Sequence, residues 1–336
     1  SSLIPDCEWG YNRDGETLPQ INLCLLFGEN TQLPLYQTLY SGSLMDSTTL
    51  RTTIAEMKGI SGEKPLVLVM DKGFYSEKNL KTLITEGHRF LVATPFTASY
   101  ALSLVEEERD GIDRVANSIK TSTGVMRGVS RKITLAGSQV TAHILYNPER
   151  ELAGRNALYA HTLWLKENVE AGRKLPGFEK DIEKYLALYD YGTGTDVTIR
   201  QDVIENELST SGWVAIIGNQ DITAQEAHDI YRKKDVVEKA FMKYKNSLGM
   251  GRLRVHDAER MRNKALVSFM SLVMISALHK VMKEKDLYKN MTMDKLMMTL
   301  SKLKLTVIDG HHILRPITKE QRQIFSAFAL LPPTVG

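Results

Sequence analysis

At 336 residues and 37.9 kDa the chain is about two domains' worth of sequence. Its 43% hydrophobic and 25% charged residues lie near globular averages, which excludes disordered, collagen-like and coiled-coil classes. The net charge of +3 does not by itself identify a polyanion binder.

From Leu18 the sequence reads as a hairpin, with strands over Gln20–Gly28 and Leu33–Ser41. A helix capped by Ser47 or Thr48 follows, with Leu50, Ile54 and Met57 at helical spacing up to Gly59. Pro65–Asp71 is a continuous apolar run ended by a carboxylate, the pattern of a buried central strand. After the turn Lys72–Tyr75, Ser76 caps a second helix through Leu80, Leu83 and Ile84, and Arg89–Pro95 forms another short strand. This alternation implies an α/β sheet with helices packed on it.

Residues 96–211 lose that rhythm and read as an inserted region with strands of its own. Within it Glu106–Glu108 is expected at a solvated helix end. Gly192–Thr195 is expected to be a loop, since the Gly-Lys-Ser/Thr of a phosphate-binding loop is absent. Gly212–Asn219 is again a buried strand, and a single long helix is expected from Thr223 to Gly249, opened by a Thr223/Glu226 capping box. Helices are expected over Glu259–Lys285, Thr292–Leu303 and Thr318–Leu330, with His311–His312 in a turn and Met291, Met293, Met297 and Met298 as core filler.

Cys7 and Cys24 have neither CxxC pairing nor a partnered His spacing, so reduced thiols are expected in a cytoplasmic protein. No signal peptide is read at the N-terminus. The longest apolar stretch, Ala265–Leu278, has 14 residues and three serines, short of the roughly 20 that a bilayer crossing needs. A soluble protein with no membrane partner is therefore expected.

Between His228 and Arg254 eight basic residues face three acidic ones, a local surplus of +5. Such a basic helix suits either a phosphate-binding surface or an ordinary solvated face. Tyr231, Lys234, Glu238 and Lys245 stand at offsets of 3, 7 and 14, so a continuous helix projects them onto one stripe. Beside it runs an apolar seam of Ile230, Val237, Phe241, Tyr244 and Leu248. A plain salt-bridged helix fits these charges as well. Asp71 adds a second carboxylate at a strand end, the edge where open α/β sheets place ligands, and clustered carboxylates suit Mg²⁺ at a phosphoryl-transfer site.

The spacing Tyr231-x2-Lys234-x3-Glu238-x6-Lys245 resembles the Tyr-x2-Arg-x3-Glu-x6-Lys signature of bacterial insertion-sequence DDE transposases. Asp71-Lys72-Gly73-Phe74 is similar to that family's second-aspartate motif. The resemblance covers about residues 10–95 and 212–280. It implies an RNase H-like core interrupted by a β-rich insertion and followed by C-terminal helices. The segments would be 1–95 (first part of the core), 96–211 (insertion), 212–285 (second part with the catalytic helix) and 286–336 (C-terminal helical region).

The resemblance implies that Asp71 and Glu238 are catalytic, metal-binding carboxylates, served by Mg²⁺ or Mn²⁺ in a two-metal site. It makes Tyr231, Lys234 and Lys245 contacts to DNA phosphates. The implied partners are double-stranded DNA, both transposon ends and target, and a second copy of the chain on paired ends. Lys234 stands where the family has Arg, keeping the charge without the bidentate fork. The family's first Asp is expected just before Ser1, in an N-terminally truncated copy, because Asp6 and Asp14 follow no apolar strand. Trp164 and Trp213 are read as packing residues, with stacking on an extruded base as the other role open to them. A metal nuclease of the same fold and a non-catalytic DNA-binding remnant are the alternative functions.

Overall fold

The computed structural model describes residues 4, 6–10, 18–62, 64–122, 124–190, 195–308 and 311–333. Asp14 and most of Gly192–Thr195 lie outside them. The chain divides into two units, Ser1–Leu44 with Asp235–Gly336, and Met45–Lys234. The first begins with the expected antiparallel hairpin, β1 (Ile21–Phe27) and β2 (Pro34–Ser41), in which Ile21 faces Ser41.

The Met45–Lys234 unit opens with α1 (Asp46–Ser61), which buries Leu50, Ile54 and Met57 as the spacing required. Its N-cap is Met45 rather than Ser47 or Thr48. The Thr48 hydroxyl donates back to the Met45 carbonyl at 2.7 Å, a bond open to a hydroxyl already inside the first turn. Next come β3 (Val67–Met70), α2 (Glu77–Thr85) capped by Ser76, and β4 (Arg89–Thr94). Strands β3 and β4 are parallel, and α2 supplies the crossover that such a pair needs.

The following segments are α3 (Ser99–Glu108), β5 (Ser118–Lys120), β6 (Val125–Leu135) and β7 (Ser138–Tyr146). A mostly helical excursion then runs through α4 (Pro148–Glu170), α5 (Glu179–Tyr185), β8 (Leu186–Asp190), β9 (Thr195–Ile199) and α6 (Gln201–Leu208). It closes on its own core of Leu165, Tyr185, Leu186, Val197 and Ile204. β10 (Trp213–Gly218) and α7 (Ala224–Arg232) complete the unit.

The main sheet has the order β3-β4-β10-β7-β6-β5. The region 96–211 has strands of its own, and of these β5–β7 join the main sheet, because β7 pairs along β10, which in turn pairs with β4. One expectation changes here. Strand β3 is an edge strand, paired among the described residues with β4 alone, which leaves Val67 44% exposed while Leu68 and Met70 are buried. Glu108 also departs from the solvated helix end expected for it. Arg131 on β6 reaches its carboxylate at 2.6 Å and its side chain is only 10% exposed.

The first unit resumes with α8 (Asp235–Asn246), α9 (Ala258–Glu284) and α10 (Met293–Ser301), then a hairpin of β11 (Leu305–Ile308) and β12 (His311–Leu314), then α11 (Lys319–Ala327). Its core gathers Leu25, Ala240, Tyr244 and Leu272. The buried Tyr244 donates to Gln37 Oε1 at 2.9 Å, and Gln37 donates to the Ala265 carbonyl at 3.0 Å, tying β2, α8 and α9 together. His311–His312 opens a strand instead of lying in a turn, since the alternating residues on both sides pair across β11 and β12. Met297 and Met298 are exposed, while Met291 and Met293 pack on Met282, Leu296 and Ile324. Helix α9 outruns its 14-residue apolar stretch. An 18-residue window has mean hydropathy 1.7 and is 22% buried, so α9 is long and apolar enough to cross a bilayer by length and composition alone. Its buried residues Met261, Ala265, Ser268 and Leu272 recur every three or four positions, the stripe of a helix packed on a core.

His143, on β7, has no exposure, and its Nδ1 lies 2.9 Å from the Ser130 hydroxyl while Nε2 lacks a partner. Burial, then the Lys132 charge, press its pKa from 6.5 to about 4. The unfolded chain therefore binds one more proton between these pH values, and stability is lost as pH falls from 6.5 toward 4. The urea midpoint should fall over that window, and His143→Gln should remove part of the fall; an unaltered pH profile in the variant would refute the assignment.

Candidate active site

β3 delivers Asp71 at its C-terminal end, where the chain enters a 3-10 turn over Lys72–Phe74. The Asp71 carboxylate caps that turn, Oδ1 accepting from the Lys72 amide at 2.7 Å. Gly73 lies close to Asp46 in the turn: a Cβ there would stand 2.6 Å from Asp46 Oδ2, so that carboxylate would have to swing aside. The buried Asn79 amide donates to the Phe74 carbonyl at 2.9 Å and the Ser47 carbonyl at 2.8 Å, clamping the turn to α1. Gly73 belongs to the Asp71-Lys72-Gly73-Phe74 motif read from the sequence, whereas Asn79 did not stand out there, because an Asn three residues after a Ser cap carries no pattern of its own.

Opposite this strand end stands the close of α7. The capping box expected at its start is present, with the Glu226 amide donating to Thr223 Oγ1 and Glu226 Oε2 accepting from the Thr223 amide. Ala224, Ala227, Ile230 and Tyr231 pack against Leu91, Leu145 and Ile216 of the sheet. That packing puts the Tyr231 hydroxyl 3.4 Å from Asp71 Oδ1 and the Lys234 ammonium 3.2 Å from Asp71 Oδ2. The ammonium also lies 5.3 Å from the Tyr231 ring centroid, within cation–π range.

The three groups divide in charge state. Burial alone would raise the Asp71 pKa, but the Lys234 charge and the Lys72 amide hydrogen bond outweigh it, so the carboxyl is held below its usual 3.8. Burial pushes Tyr231 up to about 12; Lys234 opposes that rise and Asp71 adds to it. At neutral pH the arrangement is thus an anionic Asp71 with Tyr231 as a protonated donor. The Asp71 side chain is 55% exposed and that of Lys234 14%, which leaves the carboxylate within reach of solvent and ligand.

The single long helix expected from Thr223 to Gly249 does not form. The Lys233 and Lys234 amides turn back to the Ile230 and Tyr231 carbonyls, three residues earlier, and α8 starts afresh at Asp235. Charge order explains the break. Arg232, Lys233 and Lys234 suit a helix C-terminus, whereas Asp235 and Glu238 suit the first turn of a new one. The offset of 3 joins Tyr231 to Lys234 near Asp71. Glu238 and Lys245 belong to the other unit, both exposed and two turns apart on α8, whose seam is Ala240, Phe241 and Tyr244.

A divalent cation fits the chemistry of Asp71, an ionised, solvent-accessible oxygen donor of the hard type that Mg²⁺ and Mn²⁺ take. Among the described residues no group of three or more His, Cys, Asp or Glu is arranged to hold a metal. Trp213, 6% exposed, packs at 4.7 Å on Tyr146 with Arg109 over its indole, as a packing residue should. Trp164, 40% exposed on α4, forms an aromatic cluster with His161 and Phe178.

A family model described as a transposase DDE domain matches residues 4–274. No curated protein sequence matches the chain.

Lys234→Met should raise the Asp71 pKa, because burial would then act with less opposition. Carboxyl-carbon NMR titration reads this directly, and an unmoved Asp71 titration would show that Lys234 does not set its charge.

Proposed function

Because the chain belongs to the transposase DDE-domain family, with its RNase H-like α/β core, we propose that it is an insertion-sequence transposase working by cut-and-paste. It would cleave DNA at the element's ends and join the freed 3′-OH to target DNA. The observation that carries this reading is Asp71, an ionised carboxylate at a strand end, flanked by one protonated hydroxyl and one ammonium. Carboxylate, hydroxyl and cation together suit a phosphodiester.

In cleavage, water attacks the phosphorus and the bond to the 3′ oxygen breaks, leaving a 3′-OH and a 5′-phosphate. In transfer, that 3′-OH attacks a target phosphodiester, forming a new P–O bond while the target strand's own 3′ oxygen leaves and takes up a proton. Asp71 and Glu238 are the proposed ligands of Mg²⁺ or Mn²⁺, which when bound neutralises charge on the attacking and leaving oxygens. Tyr231 donates its hydroxyl hydrogen to a phosphate oxygen and fixes the strand's register. Lys234 neutralises Asp71 when no substrate is present and, on its flexible stem, meets a phosphate brought to that carboxylate. Lys245, exposed on α8, neutralises a phosphate further along the backbone. Two copies acting on paired ends, in a bacterial cytoplasm, complete the reading.

The test uses a duplex carrying the repeats that flank the protein's own gene. Asp71→Asn and Glu238→Gln should each abolish Mg²⁺-dependent 3′-OH release and joining while duplex affinity stays within about threefold. Full joining activity in either variant would overturn the assignment of that carboxylate. Lys245→Ala should lower the slope of log affinity against log salt by about one, and an undiminished slope would remove it from the phosphate contacts.

A further inference from the structure

Within the Met45–Lys234 unit a cleft of about 740 Å³ lies between α1 and α2. Thr48, Arg51 and Thr52 of α1 line it, with Ser76 and Lys78 from the start of α2. Thr48 and Thr52 are one turn apart, so both hydroxyls share a face of α1 with Arg51 alongside. At the far end Lys58 is neutralised by Glu86 at 2.8 Å. Arg51 and Lys78 are exposed and have no ion-pair partner among the described residues.

The cleft has no aromatic side chain, and besides Ile54 and Ala55 its lining residues are polar or charged, unlike the aromatic-lined pockets that small organic ligands take. It is also far larger than one phosphate ion. Hydroxyls interspersed with unpaired cations along an open groove are what a sugar-phosphate backbone takes from a protein. The cleft is fixed relative to the candidate site as well, since Asn79, which lines it, bonds both to Ser47 on α1 and to the turn that follows Asp71.

We propose that the cleft between α1 and α2 binds the backbone of duplex DNA beside the reacting phosphate, with Arg51 and Lys78 each neutralising one phosphate. The proposal rests on the transposase reading above and adds to it a DNA-binding surface distinct from Tyr231, Lys234 and Lys245. A duplex running past the Asp71 strand end would be held there by contacts to phosphate alone, so its sequence should not matter.

The experiment is fluorescence anisotropy of the full chain on a 30-base-pair duplex of arbitrary sequence, from 50 to 300 mM salt. The paired variant Arg51→Ala/Lys78→Ala should bind at least about tenfold more weakly at 100 mM salt, with a slope of log affinity against log salt lower by about two. Lys166→Ala/Lys180→Ala, which removes the same charge from α4 and α5, should keep the wild-type slope. If the wild type binds and Lys245→Ala lowers its slope but Arg51→Ala/Lys78→Ala does not, the cleft proposal fails and the transposase reading stands. If the wild type shows no salt-dependent duplex binding, that reading fails and the cleft proposal with it. Displacement of the duplex by a few millimolar inorganic phosphate at constant ionic strength would mark a small-anion site and overturn the proposal.

Discussion

In the Met45–Lys234 unit the arrangement depends on β10 being paired on both sides, with β4 along one edge and β7 along the other. Ile216 and Ile217 in its middle have no exposure, so one strand serves cores on both faces of the sheet. Beyond its end, Asn219 accepts from the Phe90 amide at 3.0 Å and donates to the His88 carbonyl at 2.8 Å, extending the pairing to β4 by a side chain. The chain leaves β10 directly into α7, and α7 lies on the sheet that β10 has closed. The meeting of Tyr231 and Lys234 with Asp71, some 160 residues earlier, follows from that pairing. The helical excursion of α4–α6 can leave and return without disturbing it, because it carries its own small core.

Around Asp71 opposing electrostatic terms are held in balance. Partial burial favours the neutral acid, while one ammonium and one backbone amide favour the carboxylate and prevail. The outcome suits phosphoryl chemistry, which requires an anionic oxygen donor that remains accessible. Lys234 carries much of the balance without being buried as an isolated charge, since Asp71 and the face of Tyr231 both accompany it. The turn after Asp71 is held independently, by the Asn79 bonds to the Phe74 and Ser47 carbonyls.

Cations in this chain are few in net terms and uneven in place. The surplus over residues 228–254 is divided by the helix break, with Lys234 closing one unit and Lys239, Lys243 and Lys245 riding on α8 in the other. The Lys243 pKa is depressed by burial, and that of His279 by burial and then by the charges of Lys243, Lys283 and Lys239. Lys264 on α9 donates to the Leu253 carbonyl at 2.6 Å and the Gly249 carbonyl at 3.3 Å, holding the loop after α8 that includes Arg252.

Much of the local structure was legible in the sequence. The β1–β2 hairpin, the strand–helix–strand of β3, α2 and β4, the Ser76 cap and the Thr223/Glu226 capping box follow from short-range periodicity and cap chemistry, which act within a few residues. Asp71, Tyr231 and Lys234 could be named from their motifs for the same reason. The place of β3 at a sheet edge, the entry of β5–β7 into the same sheet, the burial of Glu108 against Arg131 and the cation assigned to Asp71 each depend on partners tens to hundreds of residues away. No local pattern records such a partner. The division of the helix at Lys233–Lys234 lies between the two cases: its charge order was written in the sequence, but periodicity alone continued the helix through it. Sequence by itself determined which carboxylate, hydroxyl and ammonium groups stand in the family's motifs and most of the elements that carry them. Tertiary structure decided which of them meet, because strand pairing and side-chain packing, unlike capping and periodicity, are set by contacts the chain makes only after it has folded.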